Sequence, residues 1–127
     1  DYVEEDIRKV AAAVHAHGIL LKVILETCFL TPEMIVASCK AAERAGADFV
    51  KTSTGYGPSG ATIDDCVLMR NSVSTKVQVK ASGGIRTLDQ TLAYRKAGCS
   101  MIGSRATAVI LEEAEQRAKA GILMELD

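Results

Sequence analysis

The sequence predicts an α/β fold with a parallel sheet, and three observations carry the prediction. Short apolar runs rich in β-branched residues alternate with stretches of helical periodicity, glycine closes most of the helical stretches, and each apolar run ends on polar residues. Taken in order, Ile7, Val10, Ala11 and Val14 recur at helical spacing and Gly18 follows as a stop, predicting a helix over about 4–17. Ile19 to Thr27 (ILLKVILET) is too short and too β-branched for another helix, and is apolar on both faces, as a strand covered on both sides must be. Thr31-Pro32-Glu33 supplies an N-cap, a proline for the first turn and an early acid, and Gly46 ends the helix expected over about 32–45. Ala47 to Thr54 (ADFVKTST) is the next strand, and a glycine-rich loop, GYGPSGAT, leads to a cap at Thr62 and a helix over about 63–73. Lys76 to Ser82 (KVQVKAS) repeats the strand signal until Gly83-Gly84 breaks it. Thr87 and Gln90 then form a capping box for a helix over about 88–97, closed by Gly98. Cys99 to Ile102 is a fourth short strand, Gly103-Ser104 turns the chain, and alanine-rich sequence from 106 to 120 makes the last helix.

A leading helix followed by four strands alternating with helices implies right-handed parallel crossovers. The units also repeat: Lys22, Lys51 and Lys80 fall 29 residues apart (51 − 22 and 80 − 51), and AGADFVK at 45–51 echoes AGCSMIG at 97–103. Four such modules are half of a TIM (β/α)8 barrel, which runs to about 250 residues when complete. The expectation is therefore a single domain over residues 1–127 that covers half a barrel. Such a half leaves two parallel edges and one sheet face without partners, which calls for a missing half or for self-association. An open doubly wound sheet is the alternative architecture.

With 48% hydrophobic residues, few aromatics and a net charge of −1, the composition fits one soluble domain with an aliphatic core. Nothing in it points to nucleic acid or to an acidic membrane surface. No apolar run approaches the roughly 20 residues of a membrane span, and Asp1 to Arg8 is too charged for a signal peptide, so a cytoplasmic location is expected. Cys28, Cys39, Cys66 and Cys99 form no Cys-x-x-Cys pair and have no histidine near them in sequence, and read as reduced packing residues. His15 and His17, two apart on a helix, point to different faces and read as surface residues rather than a metal pair. No metal site is expected.

In parallel α/β folds the reactive groups gather at the C-terminal ends of the strands. Here those ends are Glu26-Thr27, then Lys51 to Gly55 (KTSTG), Lys80 to Gly84 (KASGG), and Gly103-Ser104. A lysine within an apolar strand is costly unless its charge is paired, lost or used. If the strands of Lys51 and Lys80 are neighbours, each cation depresses the pKa of the other and frees an amine to attack a carbonyl. The other reading has both lysines reaching out to solvent or pairing with Glu26. Lys22, nearer the start of its strand, reads as structural. Gly83-Gly84 and Gly103-Ser104 each precede a helix, where bare N–H groups and the helix dipole favour an anion such as phosphate.

LLKVILET at 20–27, AGADFVKTSTG at 45–55, GAT at 60–62, VKASGGIRT at 79–87 and IGS at 102–104 resemble, in order, the strand ends of the deoxyribose-phosphate aldolase family. The resemblance covers nearly the whole chain. It implies the C-terminal four or so units of the barrel, and a class I aldolase that splits 2-deoxy-D-ribose 5-phosphate into glyceraldehyde 3-phosphate and acetaldehyde, with no metal or organic cofactor. It further implies that Lys51 forms the imine and that Lys80 is the second active-site lysine. Thr54 and Gly55 would hold the substrate, and Gly83, Gly84, Gly103 and Ser104 would bind its phosphate through backbone groups, with Arg86 near enough to assist. The implied partners are a phosphorylated aldehyde sugar and either a second copy or an N-terminal half-barrel, not nucleic acid or membrane. Two departures stand out. The family's proton-shuttling aspartate belongs to a strand expected before Asp1, so neither Asp1 nor Asp6 takes its place, and Arg105 stands where a small residue is expected beside the phosphate loop. A non-catalytic phosphate-binding or assembling half-barrel, or another Schiff-base aldolase, are the competing functions.

Overall fold

The computed structural model describes residues 2–122, in which four short parallel strands alternate with helices. Helix α1 (Tyr2–His15) leads into strand β1 (Lys22–Ile24) and a single 3-10 turn at Thr27–Phe29, followed by α2 (Pro32–Arg44). Then come β2 (Phe49–Lys51), α3 (Ile63–Ser72), β3 (Gln78–Ser82), α4 (Leu88–Lys96), β4 (Met101–Gly103) and α5 (Thr107–Ala120). The strands lie in the sheet in chain order, β1-β2-β3-β4, all pairs parallel. This is one arc of a barrel rather than an open sheet whose order reverses at a switch point.

The helices begin where their caps place them. Thr31 Oγ1 accepts from Met34 N–H (3.3 Å), with Pro32 in the first turn, and Thr62 Oγ1 accepts from Asp65 N–H (3.1 Å). Thr87 and Gln90 close the reciprocal box at α4. The sheet then divides its residues by parity. Val50, Val79 and Ala81 point to the helix side and are fully buried with Ile35, Cys39, Cys66 and Met69. Each large aliphatic side chain of that set contributes about 1.5–3 kcal/mol by leaving water. Leu88, Leu92 and Ile110 make a second, smaller cluster. The opposite face, the interior of a barrel, carries Lys22, Ile24, Phe49, Lys51, Gln78, Lys80 and Met101.

Several expectations need correction. Helix α1 ends at His15 rather than near 17, and the first strand is three residues long rather than the whole of 19–27. The expected strands over 47–54, 76–82 and 99–102 contract or shift to Phe49–Lys51, Gln78–Ser82 and Met101–Gly103. Their polar tails still bond across the sheet: Thr27 N–H donates to Thr52 O (2.9 Å) and Thr52 N–H to Lys80 O (3.1 Å). Pairing thus outlasts the regular ladder. Strand β1 is also not covered on both faces. As an edge strand with an open inner side it leaves Ile24 43% exposed, and Ile19 and Leu20 before it are more exposed still.

Cys39, Cys66 and Cys99 are free and buried, and burial pushes the Cys39 thiol up to about 12; Cys28 is half-buried. His15 stays at the surface but has work there. Its Nε2 lies 2.7 Å from Asp48 Oδ2, which also accepts Leu21 N–H (2.7 Å), tying the end of α1 to the start of the sheet. Among the described residues no group of three or more potential ligands gathers to hold a metal ion, and no helix is long and apolar enough to cross a membrane. Asp1 lies outside the described residues, and Asp6 sits within α1, away from the strand ends.

Candidate active site

The register of the two central strands decides what the lysines can do. Lys51 and Lys80 are direct partners in the β2–β3 ladder, so their side chains leave the same face side by side at the C-terminal end of the sheet. Both are half-buried, and among the described residues neither has an ion pair. Burial of its ammonium, then the charge of Lys51 and that of Lys22, hold Lys80 below the ordinary lysine value. Lys22, two residues back on the same face, is thus more than structural. It stacks over the Phe49 ring at 5.4 Å and adds positive potential to the barrel side.

Beyond the lysines, side chains join the two strand ends. Thr52 Oγ1 donates to Ser82 O and accepts from Ser82 N–H, each at 3.1 Å, while Ser82 Oγ donates to Ser53 O (2.6 Å). All of these residues are buried, so the bonds are shielded from competing water. Glu26 is not a lysine partner. In the left-handed region at φ 56, it turns its carboxylate onto Thr54, accepting from the N–H (3.1 Å) and from Oγ1 (2.5 Å). Thr54 Oγ1 in turn accepts from Tyr56 N–H (3.2 Å). The sequence marks Glu26 only as the polar end of a strand; its role in shaping the next loop depends on a fold-level contact across 28 residues.

A pocket of about 300 Å³ opens at this end of the sheet. The nine residues that the family resemblance implies for the site line it: Lys51, Thr54, Gly55, Lys80, Gly83, Gly84, Arg86, Gly103 and Ser104, with Ser82, Ile85 and Arg105 completing the wall, while the Glu26-Thr27 strand end and Lys22 are not among the lining residues. The expected use of helix N-termini needs revision, however. At α4 the Gln90 side chain accepts from the N–H groups of Arg86 (2.8 Å) and Thr87 (3.2 Å), so those amides are occupied by the capping box. The amides of Gly83 and Gly84, earlier in the turn, have no acceptor among the described residues. Ser104 is likewise committed through its hydroxyl, which donates to Ile85 O (2.6 Å) and accepts Ala106 N–H (2.9 Å). It joins the two glycine loops at the pocket wall.

Close packing explains two of the glycines. A Cβ at Gly103 would meet Ser82 Cβ at 3.0 Å and Lys80 Cε at 3.3 Å, so this glycine leaves room for the lysine stem. Gly60 stands where a Cβ would lie 2.2 Å from Gly83 O. Gly55, Gly57 and Gly60 have the G-x-G-x-x-G spacing of a dinucleotide-binding turn, but α3 starts only at Ile63 behind its own Thr62 cap, and Gly60 packs against backbone instead.

A sequence model of DeoC/LacD family aldolases matches residues 2–120. The chain belongs to that family. It is 52% identical over 114 residues to a deoxyribose-phosphate aldolase of Thermoanaerobacter sp., a match covering 89% of this chain and 51% of that one. Among solved structures, an aldolase designated QR15 superposes with a TM-score of 0.87 at 36% identity, covering 94% of this chain and 53% of the other. A tetrameric deoxyribose-phosphate aldolase from Aeropyrum pernix superposes with a TM-score of 0.81 at 28% identity, covering 88% and 48%. The chain thus spans about half the length of the curated relatives it matches. Its four parallel strands form a half-barrel of the TIM-barrel aldolase fold.

Proposed function

We propose that this chain is the C-terminal half of a deoxyribose-phosphate aldolase barrel, a single domain that carries the Schiff-base lysine, its neighbouring amine and the phosphate cradle. The observation that carries the reading is the pairing of Lys51 with Lys80 in one ladder, with glycine amides lining the same pocket. Lys51 Nζ adds to the substrate aldehyde and, with loss of water, forms an iminium. The bond between the second and third sugar carbons then breaks as the third-carbon hydroxyl loses its proton. Glyceraldehyde 3-phosphate leaves, and the bonding electrons move toward the iminium nitrogen to give an enamine. Protonation of that enamine and hydrolysis release acetaldehyde and restore the amine. Because the imine nitrogen accepts the electrons, the sequence calls for no metal or organic cofactor. Lys80, held below the ordinary lysine range, is the local group that takes and returns protons.

Thr54 and Gly55 hold the sugar end, while Gly83, Gly84, Gly103 and Ser104 hold the phosphate through backbone N–H groups, with Arg86 beside them. The open inner face and the unpaired edges of β1 and β4 are covered by the other half of the barrel, an N-terminal half or a second copy. Free, buried cysteines suit a reducing cytoplasm.

The deciding experiment is borohydride trapping with acetaldehyde, read by intact mass and peptide mapping on the wild type and Lys51→Ala. An adduct confined to Lys51 supports the reading. An adduct on Lys80 alone reverses the two roles. No adduct in a folded sample, even after addition of a separately made N-terminal half, removes the catalytic reading and leaves a phosphate-binding half-barrel.

A further inference from the structure

Among the described residues the pocket is lined by four cationic side chains, Lys51, Lys80, Arg86 and Arg105, and by no carboxylate. Two of the cations serve the carbonyl chemistry proposed above, and Arg86 flanks the glycine turn. Arg105 is different in kind. It follows Ser104 on the loop between β4 and α5, and its guanidinium carbon lies 5.7 Å from the centroid of the Tyr56 ring. Tyr56 follows Gly55 on the loop between β2 and α3, so the pair joins two separate strand-end loops at the edge of the pocket.

Neither residue has a packing reason to be there. Tyr56 is 86% exposed, Arg105 is exposed, and among the described residues Arg105 has no ion pair. An exposed aromatic ring facing a guanidinium limits the rotamers of a long cation that would otherwise sample solvent. The guanidinium offers a planar fork to phosphate oxygens, where backbone amides offer single donors to any anion.

We propose that Arg105 is a specificity-determining residue, selecting a carbonyl substrate that carries a dianionic phosphate, and that Tyr56 is the positioning residue that holds it at the pocket's edge. The sugar part of this inference rests on the aldolase reading; the anion part stands on the pocket alone. The glycine amides retain the anion, and Arg105 supplies the preference for a phosphate monoester over an uncharged sugar.

Two measurements separate this inference from the reading beneath it. The first is titration of the 127-residue chain with inorganic phosphate at low ionic strength, followed by the amide NMR signals of Gly84 and Gly103. Arg105→Ala should weaken binding roughly fivefold to tenfold, the usual range for one charge-assisted contact near a surface. Arg105→Lys, which keeps the charge and loses the fork, should fall between. Tyr56→Ala should weaken binding about twofold to threefold, whereas Tyr56→Phe, which keeps the ring face, should restore the wild-type value. The second measurement compares borohydride trapping of 2-deoxyribose 5-phosphate with that of 2-deoxyribose. Arg105→Ala should lower the preference for the phosphorylated sugar by a similar factor.

Phosphate affinity and sugar preference both unchanged in Arg105→Ala overturn the proposal, and equal binding by the two Tyr56 variants removes the positioning role. Should the wild type trap neither sugar even with a separately made N-terminal half added, the aldolase reading fails, and the phosphate titration still decides the role of Arg105.

Discussion

Gly60 is the position where the structure makes its sharpest quantitative claim. A methyl group there would lie 2.2 Å from Gly83 O, 2.4 Å from Gly83 C and 2.7 Å from Gly83 Cα, all backbone atoms that no rotamer change can move. Carbon and oxygen normally approach to about 3.3 Å, so in Gly60→Ala the loop must retreat by roughly 1 Å. The retreat carries Ala61 with it. Ala61 N–H donates to Ser82 O (3.0 Å) and Gly83 O (3.2 Å), and Ala61 O accepts from Tyr94 Oη (2.8 Å). Overpacking costs about 1–3 kcal/mol and the loss of one of these hydrogen bonds about 1 kcal/mol more, for a total of about 2–4 kcal/mol. With a urea m-value of about 1–2 kcal/mol/M, the unfolding midpoint should fall by about 1–4 M. Gly84→Ala is the control. Its φ of +81 strains an alanine by about 1–2 kcal/mol, but nothing lies within 4 Å of the added atom. Urea unfolding followed by circular dichroism should therefore rank Gly60→Ala below Gly84→Ala, although only the second has a left-handed backbone. The reverse order, or a Gly60→Ala midpoint equal to wild type, would refute the close approach of these two loops.

Two titratable groups give pH predictions, one in the alkaline range and one in acid, and in both windows stability rises with pH. Lys80 is lowered from an ordinary value of 10.5, so between its folded value and 10.5 the native state binds fewer protons than the unfolded chain, and stability rises with pH across that window. Lys80→Met should flatten that rise and lose nothing at neutral pH, as read from urea midpoints between neutrality and pH 10.5; an unchanged slope would count against a desolvated Lys80. Asp48 is lowered as well, but in a carboxylate that shift means the fold favours the charged form. Burial pushes it up, but the bonds from His15 and Leu21 N–H outweigh this and hold it below 3.8, so its stabilisation is present above 3.8 and is lost as pH falls through the folded value. Asp48→Asn should be about 1 kcal/mol less stable than wild type at neutral pH, with the gap closing in acid; a gap that persists at low pH would assign the effect to packing.

The order of elements was legible because its signals are local. Thr31-Pro32, Thr62 and the Thr87–Gln90 box start helices where they were expected, since a cap needs only the residues within one turn. The pocket was legible because βα repetition brings strand ends together whatever the loops do. Strand length was not. The polar tails at Thr52 and Ser53 keep bonding past the ladder, and sequence pattern does not separate a paired residue from one in regular register. Contacts between loops were also hidden. Gly60 against Gly83, Glu26 on Thr54 and Arg105 over Tyr56 join residues far apart in sequence, and none alters a hydrophobic period. Glu26 is the instructive case, because its left-handed backbone lies in an apolar run whose composition favours strand throughout.

The lysine pair owes its geometry to residues on the other side of the sheet. Val50 precedes Lys51 and Val79 precedes Lys80, and the two valines are themselves ladder partners with no exposed surface. A slip of one residue in either strand would turn that strand's valine outward and its lysine into the helix layer. The first loss is about 1.5–3 kcal/mol for the buried valine, and the second adds several kcal/mol for an unpaired ammonium placed among Met69, Cys66 and Ile35. Both penalties act in the same direction, so the register that sets two amines side by side is also the one the core demands. The chemistry then needs no dedicated scaffold for Lys51 and Lys80. A change at Val50 or Val79 that loosens the core would disturb the amine pair before it disturbed the glycine loops, which are joined separately through Ser104 and Ile85.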